Sequence, residues 1–119
     1  MITVVLVEDP PAVLRALRES LARDPGVRVV GEATSLERGL ALAARLRPDI
    51  VVVDAEMTGL DASSAIPAVS QRVPASALLV LTIEPDRMAG LDTIDVVGKV
   101  EGADALLDTI RAIGRRRSG

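Results

Sequence analysis

The chain has 119 residues, a formal net charge of −3 and 49% apolar residues, which suits one domain with a hydrophobic core. It contains no Phe, Tyr or Trp, so it lacks the aromatic platforms on which single-stranded nucleic acid stacks. The absence of Cys and His excludes disulfides, thiol nucleophiles and the usual zinc ligands. A metal site would have to use oxygen ligands and would prefer a hard cation.

The ends of the sequence indicate neither secretion nor membrane insertion. The first apolar run is short and ends at Glu8, which does not fit a signal peptide, and no run reaches the length of a membrane span. A cytoplasmic protein is therefore expected. The basic run at residues 115–117 is interpreted as a solvated helix end, so no direct contact with nucleic acid or membrane is predicted.

Short β-branched runs alternate with amphipathic stretches through the first half of the chain. Residues 3–7 predict a strand, and Pro10 and Pro11 then open a helix, since proline in a first helical turn lacks only an N–H that would be unpaired. Residues 27–33 predict a second strand. Ser35 predicts the N-cap of a second helix with one apolar face.

The same alternation continues through the second half. A third helix is predicted at residues 62–70, interrupted by Pro67, and a last helix at residues 103–115. The remaining strands are predicted at residues 50–53, 77–81 and 94–97. This order predicts an α/β fold, with one parallel sheet covered by helices on both faces.

A single domain over residues 1–119 is expected, in which residues 115–119 are the end of the last helix or the start of a linker. Crossovers between its parallel strands should be right-handed. Ligands of such sheets lie beyond the carboxyl ends of the strands, so these ends are the place to look for a functional site.

Polar side chains stand at three of these predicted strand ends. Glu8 and Asp9 follow the first strand, Asp54 follows the third, and Thr82 follows the fourth. Acids brought together there would repel one another unless a divalent cation lay between them, and carboxylates with a backbone carbonyl suit Mg²⁺. The alternative is that an acid only caps the following helix, which applies above all to Asp9.

Lys99 is the one lysine among the fourteen basic residues, and it directly follows the apolar fifth strand. A compact ammonium at that position could bind an anion held over the end of the sheet. A surface lysine in a glycine-containing turn is the other interpretation, and spacing alone does not separate the two.

The polar residues at the strand ends form a pattern that matches a known family; they are Glu8, Asp9, Asp54, Thr82 and Lys99. In that order they resemble the receiver domain of two-component response regulators. Residues 29–61 look most like receivers of regulators that carry a C-terminal helix-turn-helix domain. The resemblance implies a flavodoxin-like, doubly wound sheet of five parallel strands in the order 2-1-3-4-5.

The resemblance also implies roles for these residues. Asp54 would accept a phosphoryl group from a sensor histidine kinase, the Thr82 hydroxyl and the Lys99 ammonium would bind the phosphoryl oxygens, and Mg²⁺ would be the cofactor. The implied magnesium ligands are the side chains of Glu8, Asp9 and Asp54 and the backbone carbonyl of Glu56. The domain would be no enzyme in its own right, but a phosphoacceptor that assists its own phosphorylation and dephosphorylation. It would control transcription through an output domain or a partner, with a homodimer left open.

Three departures from the family pattern affect the part that normally transmits phosphorylation. Thr58 replaces a proline that is usual after the phosphorylated aspartate, and Val96 replaces an aromatic residue of the fifth strand. The interval between Thr82 and Lys99 is short, so the fourth helix should be reduced to one turn near residues 86–90 or lost. An alternative function is therefore an atypical receiver that acts as a phosphorylation-independent interaction module.

A third interpretation is an enzyme. The segment around Asp54 loosely resembles the aspartate loop of haloacid-dehalogenase-type phosphatases, with Glu56 as acid and base. That family places its nucleophile on the first strand of its core, whereas a strand ending in acids precedes Asp54 here.

Overall fold

The computed structural model describes residues 1–57, 62–88 and 94–118, with side chains omitted at 62–65 and 87–88. The strands in this part of the chain are β1 (Ile2–Val7), β2 (Val27–Ala33), β3 (Ile50–Asp54), β4 (Ala77–Thr82) and β5 (Asp95–Gly98). Its α-helices are α1 (Pro11–Leu21), α2 (Leu36–Leu46), α3 (Ala62–Arg72) and α4 (Gly102–Ser118). Short 3-10 turns, Pro85–Met88 and Lys99–Glu101, lie on either side of β5 in sequence.

All five strands form one parallel sheet in the order β2-β1-β3-β4-β5, which confirms the predicted fold class and strand order. The chain runs outward in one direction to β2 and then returns past β1 to add β3, β4 and β5. The point where this direction reverses lies between β1 and β3. In doubly wound sheets the crevice outside this point is where ligands bind.

The two faces of the sheet are both buried, because side chains alternate between them along each strand. Leu6 and Val52 belong to the face covered by α1 and α4, whereas Val7 and Val53 belong to the face covered by α2 and α3. Each fully buried Val or Leu contributes roughly 1.5–3 kcal/mol relative to an exposed one. The apolar runs of the central strands are thus explained by burial on both sides.

The N-termini of α1 and α2 begin at residues that favour helix starts. The Ser35 hydroxyl accepts a hydrogen bond from the Arg38 N–H at 3.3 Å, so the predicted N-cap of α2 is confirmed. Helix α1 has Pro10 at its N-cap position and no side-chain capping bond. Pro10, and not Asp9, thus occupies the N-cap position of α1. None of the described helices is both long enough and apolar enough to span a membrane.

The predicted interruption of the third helix at Pro67 is wrong, because α3 runs through this residue. Proline removes one backbone hydrogen bond, and the burial of Val69 and Val73 against the sheet offsets this loss. Of the predicted short fourth helix, the described part is the 3-10 turn Pro85–Met88, and residues 89–93 lie outside the described residues.

Candidate functional site at the carboxyl edge of the sheet

The pairing of β1 with β3 brings two acids together. Val7 lies opposite Val53 in the parallel register, so Glu8 and Asp54 are the next residues along adjacent strands. Both are buried, with 1% and 5% of their surface exposed. Two neighbouring carboxylates with so little access to water cannot both carry an uncompensated charge at low cost.

The pairing of β4 with its two neighbours adds the remaining polar groups. Asp54 lies opposite Leu81, and Thr82 lies opposite Gly98. Lys99 follows Gly98 directly, so its side chain starts at the same edge as Asp54 and Thr82. The strand ends that the sequence predicts to carry polar residues therefore meet at one edge of the sheet.

Asp54 is held as a charged group by several donors. Its Oδ1 atom lies 2.7 Å from the Lys99 ammonium and accepts a hydrogen bond of 2.8 Å from the Glu56 N–H. Burial raises the pKa of Asp54, but hydrogen bonds from Glu8, Lys99 and the Glu56 N–H more than offset burial and leave this pKa below its ordinary value. An ionised carboxylate is the form that can act as a nucleophile.

Glu8 differs from Asp54, because its pKa is raised and not lowered. Its Oε1 accepts a hydrogen bond from the Asp9 N–H at 3.1 Å, whereas its buried Oε2 receives no hydrogen bond from the described part of the protein and can bond to Asp54 only when Glu8 is protonated. Burial, together with the neighbouring Asp54 carboxylate, raises the pKa of Glu8 to about 8. Protonated Glu8 can share its proton with Asp54, and an ionised Glu8 would need a cation to replace that proton.

These acids meet the chemical requirements of a hard divalent cation only in part. Among the described residues, no three acidic side chains are arranged as a ready-made metal site. However, the unpartnered Glu8 oxygen and the adjacent Asp54 carboxylate provide buried anionic oxygen donors of the kind that Mg²⁺ prefers. The predicted contributions of Asp9 and of the Glu56 carbonyl stay predictions.

The side chain of Glu56 occupies the other side of the site as a hydrogen-bond acceptor, a role that neither the receiver resemblance nor the phosphatase interpretation predicted. Glu56 Oε2 accepts a hydrogen bond from the Thr82 hydroxyl at 2.7 Å. Its Oε1 accepts one from the Ile83 N–H at 2.9 Å and lies 3.1 Å from the Lys99 ammonium. The available signal was a carboxylate two residues beyond Asp54, at the edge that also carries threonine and lysine.

Lys99 joins the two carboxylates. Its ammonium contacts both Asp54 and Glu56, and its side chain is 31% exposed. Burial lowers the pKa of Lys99, but hydrogen bonds to the two carboxylates outweigh burial and raise the net pKa. The structure places Lys99 in contact with two carboxylates of this chain, and its binding of a phosphoryl group stays a prediction.

A doubly wound parallel sheet with paired acids and an ammonium beyond its switch point defines a flavodoxin-like α/β protein with an ionic site. A profile of the response regulator receiver domain matches residues 4–111, and the chain belongs to this family. Receiver domains generally bind Mg²⁺ at their acidic pocket.

Similar proteins include both methylesterases and a transcriptional regulator. The chain is 34% identical over 84 residues to protein-glutamate methylesterase/protein-glutamine glutaminase 2 of Methanospirillum hungatei JF-1, covering 71% of this chain and 24% of that protein. It is 29% identical to the transcriptional regulatory protein LiaR of Bacillus subtilis, covering 97% of this chain and 57% of LiaR. The chain thus spans between a quarter and somewhat more than half of these relatives.

Solved structures show the same fold. The response regulator domain of Thermotoga maritima CheB superimposes with a TM-score of 0.81 at 22% identity, covering 95% of this chain and 96% of that one. A LuxR family response regulator from Aurantimonas sp. SI85-9A1 has a TM-score of 0.81 at 28% identity, covering 93% and 83%. The isolated RcsB receiver from Salmonella enterica serovar Typhimurium, in the presence of phosphomimetic BeF3-, has a TM-score of 0.84 at 26% identity, covering 96% and 88%.

Proposed function

We propose that this receiver domain accepts a phosphoryl group on Asp54 from a sensor histidine kinase. The observation that carries the proposal is the ion pair at 2.7 Å between a nearly buried Asp54 and Lys99. Structural ion pairs of this kind also occur away from functional sites. Here the pair lies at the switch point of the sheet, beside a second buried acid, in a chain that belongs to the receiver family.

The transfer exchanges one bond for another. An Asp54 carboxylate oxygen attacks the phosphorus of the donor's phosphohistidine, an O–P bond forms, and the P–N bond breaks. The imidazole leaves with the electron pair and takes up a proton. Phosphoryl transfer is catalysed mainly by positioning and by neutralising charge on the transferred oxygens. The Lys99 ammonium and the Thr82 hydroxyl are the groups of this chain suited to that task.

We also propose Mg²⁺ as the cofactor, held by Glu8, Asp9, Asp54 and the backbone carbonyl of Glu56. A bound Mg²⁺ would supply positive charge against the transferred oxygens. The support from this chain is the buried Glu8 oxygen that receives no hydrogen bond, because Glu8 directly follows β1 and so lies beside Asp54. A cation there would compensate the charge that burial otherwise disfavours.

The domain is proposed to act as a phosphoacceptor rather than as an enzyme with turnover on a separate substrate. Its own residues would assist both the gain and the loss of the phosphoryl group. A cytoplasmic location is proposed with this role. The family match favours this function over the phosphatase interpretation, in which Glu56 would act as acid and base.

The proposed output is control of transcription through a C-terminal DNA-binding domain. LiaR, which matches 97% of this chain, is named a transcriptional regulatory protein. The methylesterase relatives share more identity, one of them 32% over 98% of this chain, and they represent the competing output. The reading frame beyond Gly119 in the gene tests this choice, because a methylesterase domain there would contradict transcription control.

Intact-protein mass spectrometry after incubation with acetyl phosphate and MgCl₂ tests phosphorylation. Wild-type protein should gain the mass of one phosphoryl group, and hydroxylamine should remove it. Asp54→Asn should abolish the gain. Asp108→Asn, which changes an acid with 76% of its side chain exposed on α4, is the matched control and should be modified like wild type. Equal modification of the Asp54→Asn protein would contradict the proposal.

One observation favours the interaction module as a second candidate. The donors expected to bind phosphoryl oxygens are already bound to Glu56 without any phosphorylation. A domain in this state could bind a partner constitutively. No modification of wild type, under conditions that fully phosphorylate an ordinary receiver, would favour this second function.

A further inference from the structure

Three hydrogen-bond donors converge on the single carboxylate of Glu56. The Thr82 hydroxyl donates to Oε2, and the Ile83 N–H and the Lys99 ammonium donate to Oε1. The donors come from the ends of two neighbouring strands, β4 and β5, so the fold places them independently of Glu56. Together they form a three-donor anion site, with the Glu56 carboxylate as the anion.

The orientation of the Thr82 donor is set by its surroundings. Thr82 is only 3% exposed, and its hydroxyl oxygen accepts a hydrogen bond from the Glu84 N–H at 3.1 Å. A hydroxyl has one hydrogen to donate. With that hydrogen given to Glu56 at 2.7 Å, Thr82 has no second proton for another anion.

The same anion site adjoins Asp54. The Lys99 ammonium lies 2.7 Å from Asp54 and 3.1 Å from Glu56, so a group bonded to Asp54 would meet the donors that Glu56 now holds. A phosphoryl group brings about two negative charges, and two like charges at one donor site repel strongly. Glu56 and a phosphoryl group on Asp54 would therefore compete for these donors, above all for the single hydrogen of the Thr82 hydroxyl.

We propose that the Glu56 side chain is an internal anion that occupies the phosphoryl-oxygen site of the unmodified domain and must leave it when Asp54 is phosphorylated. This proposal rests on the function proposed above for Asp54. It makes Glu56 a positioning residue that sets how readily this receiver accepts a phosphoryl group. An exit for the displaced carboxylate exists, since the Glu56 side chain is 33% exposed and can turn into water.

The occupied site also gives the unmodified protein part of the arrangement that phosphorylation would produce. Thr82 and Lys99 are already drawn towards an anion beside Asp54. Phosphorylation would then exchange one anion for another, rather than bring separated donors together. This exchange provides a reason for a receiver to function with a shortened segment between Thr82 and Lys99.

The first test compares initial rates of phosphorylation by acetyl phosphate, measured by intact mass. Charge-assisted hydrogen bonds contribute enough to change an equilibrium about tenfold each. Glu56→Gln and Glu56→Ala should therefore be modified at least about tenfold faster than wild type. Asp86→Asn, which removes an exposed acid from the Pro85–Met88 turn, is the control for local charge and should change the rate less than about threefold.

The second test needs no phosphoryl donor and no metal. Amide hydrogen exchange of Ile83, followed by NMR, should become at least about tenfold faster in Glu56→Ala, because its acceptor is lost. The Ala55 N–H, which is bonded to the Leu81 carbonyl at 2.8 Å, is the internal control and should exchange as in wild type. Faster exchange of both amides would indicate a general opening of the strand end and would overturn the assignment.

The outcomes separate this inference from the proposed function. Rates of phosphorylation that are equal or lower in Glu56→Gln, with Asp54 still modified, would overturn the inference and leave the phosphoacceptor function intact. Unchanged Ile83 exchange in Glu56→Ala would also overturn the inference, whatever the phosphorylation result. Failure of both wild type and Glu56→Gln to be modified would overturn the proposed function, and with it the competition between the two anions.

Discussion

The two sides of Asp54 are built in opposite ways. Towards β1, Glu8 has a buried oxygen without a partner, and its pKa is raised to about 8 mainly by burial. Towards β4 and β5, a hydroxyl, a backbone N–H and an ammonium all have Glu56 as their acceptor. The side that contains Glu8, here called the acidic side, lacks a positive charge. On the side that contains Thr82, Ile83 and Lys99, here called the donor side, the donors already have Glu56 as their acceptor. One side should therefore gain a cation readily, and the other should resist a new anion.

Replacement of Lys99 gives the largest expected effect, because this residue is the positive charge of the donor side. Lys99→Met keeps most of the side-chain length but leaves Asp54 and Glu56 without their shared cation. The rate of phosphorylation should fall about 100-fold, and the free energy of unfolding should decrease by about 1–3 kcal/mol. Mass spectrometry and urea denaturation measure the two effects.

The control for this change is Arg18→Met, which breaks a partly exposed ion pair between α1 and Glu32 of β2. It should change the free energy of unfolding by less than about 1 kcal/mol and leave phosphorylation unaffected. A Lys99→Met protein that is unfolded, or one that is phosphorylated at the wild-type rate, would show that the role assigned to Lys99 is wrong.

Replacement of Glu8 tests whether its buried carboxyl makes the stability of the protein depend on pH. The pKa of Glu8 is raised from 4.5 to about 8 in the folded protein, so between these pH values the folded state holds a proton that the unfolded chain releases. Stability should therefore fall as the pH rises through this range without Mg²⁺. Glu8→Gln should remove the fall and raise the free energy of unfolding at pH 7 by about 1–3 kcal/mol. A Glu8→Gln protein with the pH profile of wild type would contradict this assignment.

Magnesium should act on the acidic side alone. Added at ten times its dissociation constant, Mg²⁺ should stabilise wild-type protein by about 1.4 kcal/mol in thermal unfolding. Glu8→Gln and Asp54→Asn should each lose more than half of this gain, whereas the control Asp108→Asn should keep it. An equal gain in all four proteins would show that Mg²⁺ binds elsewhere.

Replacement of Asp24, which belongs to neither side of the site, should give the smallest effect on stability. Asp24 accepts hydrogen bonds from the Gly26 N–H and from Arg111 of α4, both of which hold its pKa below the usual 3.8. This contribution is present above pH 3.8 and is lost as the pH falls through the lowered pKa. Asp24→Asn should lower the melting temperature slightly at neutral pH and not at strongly acidic pH, with phosphorylation unchanged. A pH-independent difference would contradict an ionic origin.

Sequence patterns predicted the scaffold well, because its signals are local. The four-residue apolar run of β3, the Ser35 cap and the helical spacing of α2 each involve neighbours within a few positions. The interruption predicted at Pro67 failed, since burial of Val69 in α3 and of Val73 directly after it outweighs one lost hydrogen bond.

The sequence predicted which residues lie at the candidate site, but it did not predict which of them contact one another. The polar strand ends were found from the residues that come after apolar runs, and the parallel sheet then brought them to one edge. The Glu56 carboxylate was missed as an acceptor. Its partners Thr82 and Lys99 lie far from it along the chain, and only the pairing of β3, β4 and β5 brings them within hydrogen-bond distance.

The sequence by itself determined the order of strands and helices and the chemical type of residue at each strand end. These features could be predicted because the signals for them are local: apolar residues repeat at strand or helix spacing, and proline or serine stands at the start of a helix. The tertiary structure decided which charges meet. A parallel register sets neighbouring strand ends side by side, and this is how Asp54 comes to lie between an acid without a partner and an ammonium that Glu56 shares.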